Sequence, residues 1–139
     1  MILSPKDFEG RWRLSRRIDD RLAGQEGILS GHVSFSNAGQ NRLAYDEAGE
    51  LRLGRSPAMQ TKRRYLWRFE ASDVVVTFED GSDFHRFVPQ GAVAGTDHPC
   101  GDDFYTVAYD FRRWPSWSAV WTVLGPRKDY TSTSHYQRD

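Results

Sequence analysis

The sequence holds one cysteine, Cys100, in 139 residues. An internal disulfide is therefore excluded, and with it the disulfide-stapled secreted domains. Neither sign of charge is in excess: Lys plus Arg is 19 and Asp plus Glu is 19. A generic polyanion binder would carry a basic surplus, so nucleic acid is not an expected partner. No apolar run approaches the roughly 20 residues of a membrane helix. The first residues carry Lys6 and Asp7 where a secretory leader would run apolar, so no leader is expected. These absences predict a soluble, cytoplasmic protein that contacts neither membrane nor nucleic acid. Helical periodicity is also nearly missing.

What remains is a chain suited to one domain over residues 1–139. Hydrophobic residues make up 38% and charged residues 27%, which argues against disorder. Aromatics reach 14%, with five Trp, six Tyr and eight Phe. A short helix is predicted over Ser4–Glu9, with Ser4 as N-cap, Pro5 at the first helical position and Asp7 three residues after the cap. Gly10 ends it.

Beyond Gly10 the pattern has period two. Trp12, Leu14 and Ile18 share a face, and Arg16 falls on that same apolar face. Leu43, Tyr45 and Glu47 share another and precede a turn expected at Ala48-Gly49-Glu50. Tyr65, Trp67 and Phe69 alternate with Arg64, Leu66 and Arg68. Asp80-Gly81 reads as a two-residue hairpin loop. That loop would pair Phe78 with Asp83 and Val76 with His85, turning His85 inward, and a one-residue slip would reverse it. Residues 90–103 read as loops. Tyr105, Val107, Tyr109 and Phe111 share a face, as do Trp117, Ala119, Trp121 and Val123; Gly125–Asp129 is a turn before a last strand. Consecutive short strands of this kind predict an all-β fold. The specific expectation is an antiparallel up-and-down β-barrel of roughly 8–10 strands with a short N-terminal helix. Closure removes sheet edges, and such a barrel can hold one small ligand.

Gly10-Arg11-Trp12 after a short helix resembles the start of the calycins, the lipocalin and fatty-acid-binding superfamily. The resemblance implies that Trp12 plugs one end of the barrel and packs against an Arg of the last strand, with Arg138 the best match and Arg127 the second. A longer set of motifs also stands out: Phe78-x-Asp80-Gly81 with Phe84-His85, His98-x-Cys100-x-x-Asp103-x-Tyr105, Gly125-Pro126-Arg127-Lys128-Asp129-Tyr130, and Tyr136-x-Arg138. This set resembles a bacterial family of single-domain proteins of unknown function, which implies the calycin-like barrel and no activity.

The candidate site residues follow from the inward faces. Arg16 reads as an anion anchor, or as one half of a buried pair with Glu47 or another buried carboxylate. His85 reads as a polar anchor, an acid/base or a metal or haem ligand, or as a core histidine bonded to a Tyr or a backbone carbonyl. Tyr45, Tyr65, Trp67, Tyr105 and Trp121 read as cavity walls, and Lys128 as a contact at the mouth. Inward tyrosine hydroxyls need partners, which a partly wet cavity supplies. His98, Cys100 and Asp103 are ligand types for zinc, but one such cluster is a weak pattern, so no metal is expected. Eight arginines from Arg11 to Arg113 read as a solvated outer face. The expected function is the binding of a small molecule with a polar or anionic head and an aromatic or apolar body, by a monomer or homodimer with no cofactor. The alternatives are a barrel enzyme (lyase, isomerase or hydrolase) using His85, His98, Cys100 or Asp103, and a haem-binding barrel.

Overall fold

The computed structural model describes residues 2–139, which form one four-residue helix and a single sheet of eleven strands. The helix α1 is Pro5–Phe8. The Asp7 carboxylate accepts hydrogen bonds from the Ser4 N–H at 2.7 Å and the Ser4 hydroxyl at 3.0 Å, closing the first turn. Gly10, at φ 116°, then turns the chain into β1 (Gly10–Asp20), a backbone angle that only glycine adopts cheaply.

The remaining strands are β2 (Gln25–Gly39), β3 (Arg42–Leu53), β4 (Met59–Glu70), β5 (Asp73–Thr77), β6 (Asp83–Phe87), β7 (Ala92–Ala94), β8 (His98–Cys100), β9 (Asp103–Asp110), β10 (Trp117–Gly125) and β11 (Lys128–Arg138). All pairings are antiparallel, in the order β6-β5-β4-β3-β2-β1-β11-β10-β9-β7, with β8 following β7 along β9. The sheet curls until β6 meets the segment between β7 and β8. There the Gly95 N–H bonds to the Val107 carbonyl at 3.0 Å and the Thr96 N–H to the Arg86 carbonyl at 2.9 Å. The Arg86 N–H returns a bond to the Thr96 hydroxyl at 2.9 Å. This narrow seam makes a nearly closed barrel.

One end is plugged. Trp12 is fully buried, and its indole N–H donates to the Phe8 carbonyl at 2.8 Å. The Arg138 guanidinium lies 3.9 Å from the centre of the Trp12 ring and donates to the Glu9 and Asp7 carbonyls. Phe8 sits within 6.1 Å of six other aromatic rings, mostly edge-on. Edge-on contact is the arrangement the aromatic quadrupole favours. Burial of the Phe8 ring contributes on the order of 2–3 kcal/mol.

The structure departs from the sequence reading in four places. Gly49 makes no turn: β3 runs through it, and Gly49 lies directly opposite Gly31 of β2. A Cβ on Gly31 would collide with the Ala48 carbonyl, so these glycines serve a close backbone approach where the sheet bends. The loop at Asp80-Gly81 is wider than two residues, because Thr77, not Phe78, pairs with Asp83. A β-bulge then restores Val76 opposite His85. Residues 92–94 and 98–100 are short strands rather than loops, both paired with β9. The last turn shrinks to Pro126-Arg127, since Gly125 already pairs with Lys128. No helix among the described residues is long and apolar enough to cross a membrane.

Candidate functional site

Between the aromatic plug and the opposite end the barrel encloses a cavity of about 570 Å³. That volume lies within the range of small-molecule pockets. Asp20, Leu53 and Cys100 border it at the open end. Alternation along the strands supplies its walls, as with Trp117, Ala119, Trp121 and Val123 of β10.

A charged network is built into the wall. The Arg16 guanidinium donates to both Glu47 carboxylate oxygens, at 2.9 and 2.8 Å, and its Nε–H to the Ser134 hydroxyl at 2.7 Å. The Tyr45 hydroxyl donates to the same carboxylate at 2.6 Å and stands 3.0 Å from the Tyr136 hydroxyl. Only 7% of the Arg16 side chain and 1% of the Glu47 side chain reach solvent. Burial opposes both charges, but the two-point bond outweighs it, holding Arg16 above the ordinary arginine range and Glu47 below the ordinary carboxylate range. Burial pushes the Tyr45 and Tyr136 hydroxyls up, so both stay protonated. The pairing read as one alternative for Arg16 is the one present.

His85 stands apart from this network. Its Nε2 is 2.7 Å from the Tyr109 hydroxyl, and its Nδ1 is buried without a partner. Burial, with a smaller contribution from nearby His98, pushes its pKa down to about 3. Burial also raises the Tyr109 hydroxyl. Tyr109 therefore donates to a neutral imidazole whose proton is on Nδ1; the other tautomer would strand two polar groups rather than one.

Of the expected ligand contacts, Arg16, Tyr45, Tyr65, Trp67, His85, Tyr105 and Trp121 line the cavity. Lys128 does not. Its ammonium donates to the Tyr105 hydroxyl at 3.0 Å and pairs with Asp103 at 3.1 Å, which raises its pKa. His98 and Cys100 point to the cavity mouth from alternate positions of β8, while Asp103 is taken by Lys128. Among the described residues no three His, Cys, Asp or Glu side chains gather as a metal-binding group.

Lining residues that escaped the sequence reading include Arg63, Ser132 and Phe84. Arg63, expected on the outer face, stands opposite Glu47 and borders the cavity, and Ser132 is legible afterwards from its phase with Tyr136, four positions on. Phe84 is not, because strict alternation assigns it the face opposite His85, yet it lines the cavity beside it.

One family model spans residues 8–138. The chain belongs to DUF6314, a family of unknown function. No curated protein matches it. Among solved structures this DUF6314 barrel is similar to the S-type phycobiliprotein lyase CPES from Guillardia theta. The TM-score is 0.69 at 11% identity, over 97% of this chain and 90% of that one. It is also similar to a protein of unknown function from the DUF3598 family of Nostoc punctiforme. There the TM-score is 0.59 at 14% identity, over 97% of this chain but 48% of that one. At such identities the likeness is one of fold, and it agrees with the antiparallel barrel expected from the sequence.

Proposed function

We propose that this protein binds one small molecule inside the barrel. The observation that carries the reading is the cavity of about 570 Å³ with aromatic walls and a polar network already assembled in one side. A dry structural core would have filled that volume with side chains. Tyr65, Trp67, Tyr105 and Trp121 hold the aromatic or apolar body. The polar head is oriented by the Arg16–Glu47–Tyr45 network. Arginine has five N–H groups, and the three bonds to Glu47 and Ser134 leave two of them for a ligand. Glu47 already balances the Arg16 charge, so the head is held by hydrogen bonds rather than by net charge. The occurrence of the same fold in a phycobiliprotein lyase is consistent with this use of the interior.

The test is native mass spectrometry of the protein purified from its own host, with an absorption spectrum of the same sample. The expected result is an added mass that is released on denaturation. An apo mass, with no mass added after incubation with a small-molecule extract of the host, would overturn the reading.

A further inference from the structure

The β-bulge between β5 and β6 sets two consecutive side chains on the same side of the sheet. Val76 pairs with His85 and Thr77 with Asp83, so Phe84 is the extra, unpaired residue. In an unbroken ladder Phe84 would face outward; here its ring turns into the mouth of the barrel. It stacks on Phe78 at 4.6 Å with planes 23° apart, and on Trp121 at 4.9 Å with planes 12° apart. Tyr65 and His98 close around it at 5.6 and 5.2 Å. Phe78 follows β5 and Trp121 belongs to β10, on opposite sides of the seam, so Phe84 is the middle member of an aromatic stack that crosses the opening.

Of the outer rings, Trp121 is firmly based, while Phe78 stands in the turn after β5 and Phe84 on the bulged strand. Trp121 sits in the centre of a nine-residue strand paired on both sides. Phe84 sits on a five-residue edge strand whose far side is held by the contacts of Arg86 with Thr96. Bulges recur beside functional sites because they re-aim a side chain.

We infer that Phe84 is a plug in a flat-ring subsite, and that the ligand carries a planar conjugated ring which takes the place of Phe84 between Phe78 and Trp121. The inference rests on the proposed binding role and adds the chemical class of the cargo. A slot with an aromatic face on each side accepts a flat π-system and rejects a puckered or branched aliphatic group of equal volume. Outward rotation of Phe84 opens the slot and the path to the Arg16–Glu47 network beneath it.

The experiment is a titration of Nile red, a flat conjugated dye, into wild type, Phe84→Ala, Phe84→Trp and the double variant Phe84→Ala/Trp121→Leu. Near-ultraviolet circular dichroism serves as the check on folding. Phe84→Ala is expected to bind at least fivefold tighter and Phe84→Trp at least fivefold weaker, and the double variant is expected to lose the gain. Equal or weaker binding by a folded Phe84→Ala would overturn the plug, leaving Phe84 as an ordinary wall residue. Failure of all four proteins to bind the dye would overturn the planar class. The mass measurement decides the binding role itself, so the two failures are told apart.

Discussion

Replacing Glu47 by Ala isolates what the buried pair does. The change removes both oxygens that the Arg16 guanidinium meets at 2.9 and 2.8 Å, in a place where only 7% of the arginine side chain sees solvent. A buried cation left without its partner costs about 3–5 kcal/mol. Against a total of about 5–15 kcal/mol for a domain, that is a large share of the stability. In urea, where slopes run about 1–3 kcal/mol per molar, the midpoint should fall by about 1–5 M with the slope unchanged. The void left by Glu47 is the size of a small carboxylate, so acetate should stabilise the variant with a logarithmic dependence on its concentration and leave wild type unaffected. Arg16→Met/Glu47→Leu removes both charges and should recover most of the loss. A loss below about 1 kcal/mol in Glu47→Ala, or a double variant no more stable than the single one, would refute the reasoning, because the charge would then find compensation that the geometry does not show.

Two further outcomes follow from the geometry. His85 is held at about 3 in the folded protein against about 6.5 unfolded, so the unfolded chain takes the proton first. Its stabilisation is complete above about pH 6.5 and declines by about 1.4 kcal/mol for each pH unit as the solution is acidified towards pH 3. His85→Gln should flatten the urea-derived stability profile across that window, and an unchanged profile would contradict a neutral buried imidazole. Gly31→Ala places a methyl group against the Ala48 carbonyl and should cost about 1–3 kcal/mol or more by overpacking. A denaturation midpoint equal to wild type would mean that the β2–β3 crossing is looser than described.

The fold was legible because alternation carries it. Trp12-x-Leu14 and Trp117-x-Ala119-x-Trp121 state which face is buried without reference to the rest of the chain. Turns were less legible where a glycine has two physical uses. Gly49 looks like a hairpin residue in one dimension, and only the opposed Gly31 shows that it serves close approach instead. The inward placement of His85 came from a two-residue loop that the structure does not contain. The wider turn and the bulge displace the register by compensating amounts, so the facing pair survives while the loop does not. The same bulge hid Phe84, since no local residue type announces that a strand will break alternation there. Glu47 stood on the correct face from the start, but its bond to Arg16 spans β1 to β3 and depends on curvature that no local pattern encodes.

The strand order has a consequence for how the molecule is divided. A cut in the connection 88–91 would separate β1–β6 from β7–β11, and each set would remain an unbroken run of neighbouring strands. The halves would meet along β1 and β11 and again at the short join of Arg86 to Thr96. Four contacts that shape the cavity span this division: Arg16 to Ser134, Tyr45 to Tyr136, His85 to Tyr109, and Phe84 to Trp121. The barrel is therefore two complementary shells, and the side chains that meet across its interior act as mortar between them.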